Sequence, residues 1–226
     1  MSPMTTPTAH PAGADQALSI PGPAGMLEAA FDLAEGPARA ALAVVCHPLP
    51  TEGGTMHNKV VTMAARALRE SGVATLRFNF RGVGQSEGRF DDGEGELEDL
   101  RAVVRWARAR HPGQALWLAG FSFGAWVSLR AAGELGATAL VSIAPPVGRS
   151  WDFAGLVPPP IPWVVVQGEA DEIVDPRAVF DWLATLPRPP QLVRMPDTSH
   201  FFHRKLMDLR GALKQAVRDW PPPAHD

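Results

Sequence analysis

The 226-residue chain contains no tyrosine and a single cysteine, Cys46. Without a phenol, no tyrosine hydroxyl can act as a proton relay or general acid. One thiol closes no internal disulfide and builds no cysteine-rich zinc site, so a reducing compartment is expected, and with it a cytoplasmic location. Positive charge is not in excess either. The chain has 21 Lys and Arg against 24 Asp and Glu, a formal net charge of -3, so neither a nucleic acid nor an anionic membrane is an expected partner. No apolar run approaches the roughly 20 residues that cross a bilayer. Residues 1–15 lack the basic cluster and apolar stretch of a secretory signal.

What is present is the composition of a globular protein, 46% hydrophobic and 20% charged. A chain of this length buries about 70% of its unfolded surface and needs no metal or disulfide to hold a core. Residues 1–17, rich in Pro, Thr, Ala and Gly, read as a disordered leader, and 221–226, Pro221-Pro222-Pro223-Ala224-His225-Asp226, as a similar tail. Both have too little apolar content to offset the entropy of ordering them. Residues 18–220 are expected to form a single domain, because there is no internal repeat and the one interior proline run, Pro158 to Pro162, is too short to divide it.

Within that span, short apolar runs alternate with amphipathic stretches. Ala41 to Cys46 is a continuous apolar run, the mark of a strand buried on both faces. A helix is expected over 55–70, a strand over 73–80, and a helix after the acidic stretch Asp91 to Asp99. Strands follow at 115–120, 139–144, 163–167 and 191–195, with helices at 123–132, 176–186 and 202–220; an antiparallel strand near 26–33 is weakly signalled. Alternation at this spacing implies parallel pairs joined by right-handed crossover helices. The expected fold is therefore α/β: a doubly wound, mostly parallel sheet with helices on both faces.

In such a sheet the chemistry gathers at the carboxyl ends of the strands. Those positions hold His47-Pro48-Leu49-Pro50, the loop Gly82 to Gly88, Ser122, Pro145-Pro146, Glu169-Ala170-Asp171 and Ser199-His200. A serine, an acid and a histidine stand there in that order, the composition of a nucleophilic triad. Gly-x-Ser-x-Gly occurs twice. Gly84-Gln85-Ser86-Glu87-Gly88 lies in a polar loop. Gly120-Phe121-Ser122-Phe123-Gly124 follows an apolar strand and precedes a helix, the strand–turn–helix context of a nucleophile elbow, and Ser122 is the expected nucleophile.

Of seven histidines, His10, His111 and His225 read as solvated, and His47 and His57 first as structural. His200 sits in the loop after the last strand, from where it can turn toward the elbow, and is the expected general base. His203 is expected inside the following helix, as a capping or surface residue, and no carboxylate or cysteine cluster makes the pair a metal site. Asp171 follows the glycine turn after the fifth of these strands and is the expected acid, whereas Asp175, before Pro176, reads as a helix cap. An oxyanion hole takes two backbone N–H groups. Phe123 supplies one, and Leu49, the only residue between Pro48 and Pro50 that has an N–H, the other.

The elbow, the order Ser122, Asp171, His200 and the loop from His47 to Pro50 resemble the α/β-hydrolase superfamily. More closely, His47-Pro48 with Gly53 to Val61, and Phe78 to Gly88, resemble a family of small, lidless, esterase-like bacterial serine hydrolases, over about residues 25–218 of this chain. The resemblance implies serine-hydrolase chemistry without metal or other cofactor. The segment from Pro145 to Trp163 is too short for a helical cap domain. Leu49 and Trp151 are the expected substrate-facing side chains, and the expected partner is a small ester or thioester, cleaved through an acyl-enzyme on Ser122. An acyltransferase with the same triad and a non-catalytic binding protein on the same fold are the alternatives. A nucleotide site on Gly82-Val83-Gly84 is disfavoured, because Glu87 stands where the last glycine of the fingerprint belongs. The oligomeric state is not written in the sequence.

Overall fold

The structure, a computed structural model, describes residues 16–220. The expected tail and all but the last two residues of the expected leader lie outside that range. Among the described residues, eight strands form one sheet in the order β1-β2-β4-β3-β5-β6-β7-β8. The strands are β1 (Gln16–Gly22), β2 (Gly25–Asp32), β3 (Ala41–Cys46), β4 (Ala74–Phe78), β5 (Ala115–Phe121), β6 (Ala139–Ile143), β7 (Trp163–Gly168) and β8 (Gln191–Met195). β2 runs antiparallel to both β1 and β4, and from β4 to β8 every neighbour is parallel. The helices are α1 (Lys59–Glu70), α2 (Glu94–Arg110), α3 (Phe123–Ala131), α4 (Pro176–Thr185) and α5 (Leu206–Arg218).

Two apolar layers result. On one face Leu97 and Leu100 of α2, Val127 of α3 and Val179 and Leu183 of α4 share one buried apolar cluster with the alternate residues Leu42, Val44 and Cys46 of β3. On the other, Val60, Ala64 and Leu68 of α1 and Leu209 and Leu213 of α5 share a second cluster with Ala41, Ala43 and Val45. Every residue of β3 is therefore buried, which is why its sequence shows an unbroken apolar run instead of alternation.

The structure corrects several boundaries. The expected leader reached residue 17, but β1 begins at Gln16 and forms a hairpin with β2 that places Ile20 against Leu27. Helix α1 starts at Lys59, not at 55, because Asn58 caps it by accepting the N–H of Val60. Met56 meanwhile is held outside the helix, its N–H donated to Asn79 and its carbonyl accepting from Arg77. β4 ends at Phe78 rather than Phe80. The last helix starts at Leu206, so residues 202–205 and with them His203 lie before it. Phe202 and Arg204 there have left-handed backbones, φ 53° and 59°, which an α-helix cannot contain. No helix interrupts residues 144–162, between β6 and β7, so no cap covers the carboxyl ends of the strands.

Candidate active site

Ser122 lies between the central strand β5 and α3, at φ 52° and ψ -119°. A non-glycine residue in that region is strained and persists only where its surroundings over-determine it. Here the Ser122 N–H donates to Ile143 O (2.8 Å), while its carbonyl accepts from Ala125 (2.8 Å). The flanking glycines are needed for space. A Cβ on Gly124 would stand 2.5 Å from His47 O, and one on Gly120 would stand 2.5 Å from the Ala125 nitrogen. The elbow is thus pressed against the end of β3 and the loop that follows it.

His200 is buried, and its Nε2 is 3.1 Å from Ser122 Oγ. Its Nδ1 is 2.8 Å from Asp171 Oδ2. With Nδ1–H donated to the carboxylate, Nε2 is the bare nitrogen that faces the hydroxyl. The acid and base loops are tied to each other: Ala170 N–H donates to Thr198 O (3.1 Å), and His200 N–H to Glu172 Oε2 (3.1 Å). Asp171 Oδ1 accepts the N–H groups of Ile173 (2.9 Å) and Val174 (2.8 Å). Burial alone raises the pKa of Asp171, but its bond to His200, the imidazole's charge and the two backbone N–H groups outweigh that and hold it below the ordinary carboxylate value.

The loop after β3 contains a second buried imidazole. His47 Nε2 accepts the Phe80 N–H (3.0 Å) and its Nδ1–H donates to Pro48 O (2.7 Å). Burial pushes its pKa down to about 4, against the pull of the Pro48 carbonyl, so it stays neutral. It therefore braces the loop, and it is not brought to Ser122. Leu49 follows, at φ -52° and ψ 119°, ahead of a 3-10 turn at Pro50–Glu52. Among the described residues, neither the Leu49 nor the Phe123 N–H is engaged in a loop, turn or capping bond. Gly54 lets the turn fold back, since a Cβ there would meet Leu49 O at 2.7 Å.

Trp151 is half-buried, its ring 4.8 Å from those of Phe123 and Trp126. Leu49 is half-buried on the same apolar layer. Phe121 and Trp126 are buried, whereas Phe201, next to His200, is 51% exposed. Asp175 caps α4 by accepting the Arg177 N–H (3.0 Å). His57 and His203 are exposed, in turns. Ser86 is buried, donating to Asn79 O (2.7 Å) and accepting the Glu28 N–H (2.9 Å). No helix starts in its loop, as α2 begins only at Glu94.

Sequence reasoning missed Gln167 and Glu172, which contact Asp171 and the His200 backbone respectively. Gln167 had a signal, a polar residue closing the apolar run Trp163-Val164-Val165-Val166.

A doubly wound sheet with a strained serine turn on its central strand, and no cap, defines a lidless serine hydrolase of the α/β-hydrolase superfamily. The model of the family described as serine aminopeptidase, S33, matches residues 38–161, and the chain belongs to that family. It is similar to an α/β serine hydrolase without lid from Xanthomonas campestris, with 61% identity and a TM-score of 0.89 over 96% of this chain and 100% of that one. An alpha-beta serine hydrolase homologue from Coxiella burnetii is 43% identical, with a TM-score of 0.87 over 92% of this chain and all of its own. An uncharacterized protein of Rickettsia prowazekii is 36% identical over 203 residues, 85% of this chain and 84% of its own length.

Proposed function

We propose that the chain is a cofactor-independent carboxylesterase that cleaves short carboxylic esters or thioesters through an acyl-enzyme on Ser122. His200 Nε2 takes the hydroxyl proton as Oγ attacks the substrate carbonyl carbon. The oxygen that becomes anionic receives the N–H groups of Leu49 and Phe123, with the N-terminal end of α3 adding its dipole. Collapse breaks the bond to the alcohol or thiol, which leaves with the proton from His200. Water, deprotonated in turn by His200, attacks the acyl carbon and releases the acid and free Ser122. Asp171 holds the imidazole in the right tautomer and stabilises its cation.

The observation that carries this reading is the unbroken chain from Ser122 Oγ through His200 to Asp171, at 3.1 and 2.8 Å. Leu49 and Trp151 face the substrate, and without a cap the mouth suits small, diffusing esters. In this reading the enzyme is cytoplasmic and works on a small molecule; among the described residues no helix is long and apolar enough to cross a membrane.

A fluorophosphonate probe with peptide mapping tests the assignment. The label is expected on Ser122 and is expected to be lost in Ser122→Ala and His200→Ala, along with turnover of short-chain nitrophenyl esters. Turnover that survives Ser122→Ala removes the mechanism. Amino-acid nitroanilides turned over faster than the esters would move the reading to the aminopeptidase activity in the family's name. An acyl group passed to added alcohols in preference to water would make the enzyme a transferase.

A further inference from the structure

We infer that Gln167 is a positioning residue: its side-chain amide orients Asp171 and tempers its basicity, and through Asp171 it sets the protonation of His200. The inference rests on the serine-hydrolase reading of the site. Gln167 is fully buried near the end of β7. Its Nε2 donates to Asp171 Oδ2 (3.0 Å) and to Gly168 O (3.1 Å). Among the described residues, its Oε1 is buried with no hydrogen-bond partner. Exchanging the two amide atoms would set the oxygen against a carboxylate and a carbonyl, both acceptors, so the donors fix the orientation.

A buried acceptor left unpaired costs stability. Leucine, of similar size, would avoid that cost and extend the apolar run of β7. The amide offsets it with a donor on Asp171. With Gln167 present, each carboxylate oxygen has two donors: Ile173 and Val174 on Oδ1, His200 and Gln167 on Oδ2. Without Gln167, Oδ2 faces the imidazole alone and becomes more basic. A more basic carboxylate favours the imidazolium, and an imidazolium has no free nitrogen to accept the Ser122 proton. The carboxylate also loses the contact that stops it rotating away from the imidazole.

The test uses Gln167→Leu and Gln167→Glu in the full-length chain. Turnover of a short-chain nitrophenyl ester is followed across pH, with thermal stability and the low-field Nδ1–H proton resonance of His200 measured in parallel. Gln167→Leu is expected to be at least as stable as the wild type, with KM little changed. Its kcat should fall about ten-fold, as when an outer partner of an orienting imidazole is removed. The acidic limb of its pH profile, and with it the midpoint of the imidazole titration, should move to higher pH. In Gln167→Glu the introduced carboxyl can donate to Asp171 only while protonated, so activity should drop as it ionises, on the alkaline side where the wild type is flat. A Gln167→Leu protein with wild-type kcat and an unmoved midpoint overturns the inference, as does a Gln167→Glu protein whose profile matches the wild type. The resonance is read without turnover. A wild type that takes no label at Ser122 would sink the hydrolase reading, while the midpoint still decides the role of Gln167.

Discussion

The same five-residue pattern, Gly-x-Ser-x-Gly, is used in two opposite ways within 40 residues. In Gly84–Gly88 the glycines carry the torsion, at φ 56° and 90°, besides standing close to the Glu28 and Ala24 side chains, and the serine has an ordinary backbone. In Gly120–Gly124 the torsion falls on the serine, at φ 52°, and the glycines are there for room. The hydroxyls differ accordingly. Ser86 spends its donor on Asn79 O and its acceptor on the Glu28 N–H. Ser122 points at an imidazole nitrogen. A serine with both capacities used by backbone stitches strands together, whereas one aimed at a bare nitrogen is poised to lose its proton. The pattern is thus a steric statement, and the elements on either side determine what it is for.

The strongest way to break this contrast is to cut the elbow's polar chain at its far end. Asp171→Asn keeps size and shape but turns the acceptor of the His200 Nδ1–H into an amide, which favours the wrong tautomer. A loss of about ten-thousand-fold in kcat is expected, with Ser86 and its loop undisturbed. Steady-state kinetics with a nitrophenyl ester measures it. A loss of only a few-fold would mean that the elbow hydroxyl is no more dependent on long-range partners than the loop hydroxyl is.

How far the sequence disclosed all this depends on how local each cause is. β3 and β8 could be read to the residue, because burial on both faces or flanking prolines mark them within their own span. β1 could not be read, because Leu18-Ser19-Ile20-Pro21-Gly22 has a broken pattern and is a strand only through its pairing with β2. Proline is tolerated there because β1 is an edge strand. The start of α5 was misread for a similar reason. Phe202 is fully buried as an anchor beside Phe121, so an apolar residue that resembled a first helical turn is instead pinning the loop that carries His200. The side chains named from motif and order, Ser122, Asp171 and His200, lie in one hydrogen-bonded chain. Glu172 was not legible, because its role depends on which loop it faces, and Gln167 showed only as a polar residue closing an apolar run.

A second test exploits His47, which links the two regions: it braces the loop after β3 by accepting the N–H of Phe80, the residue before Arg81 and the Gly82–Gly88 loop. Its folded pKa, about 4, lies below its ordinary 6.5. The unfolded chain therefore binds the extra proton between those values, and stability must fall as pH drops from about 6.5 to 4 and level off below. The full drop is on the order of 3 kcal/mol. Urea unfolding at pH 7, 5.5 and 4.5 measures it, and His47→Gln should be weaker at pH 7 but flatter across that window. Asp171 acts in a different window. Its depressed pKa adds stability that is present above the ordinary carboxylate value and lost as pH falls through the lower folded one. An unaltered slope in His47→Gln would assign the acid sensitivity to other groups and leave the two loops uncoupled.

The smallest effect completes the comparison from the other side. Ser86→Ala removes the donor to Asn79 O and leaves the Glu28 N–H, at the β2 end of that contact, without its acceptor. A loss of about 1–3 kcal/mol in unfolding free energy is expected, the cost of unsatisfied buried backbone groups. Asn79 also holds the Met56 N–H through Oδ1 and Glu28 through Nδ2, so some of the loosening should reach the turn after the His47 loop and appear as a modest rise in KM. Fluorophosphonate labelling of Ser122 should persist at the wild-type stoichiometry. A protein that keeps its stability and loses its label would exchange the roles of the two serines, because only a reacting hydroxyl can be removed at no structural cost and with complete chemical loss.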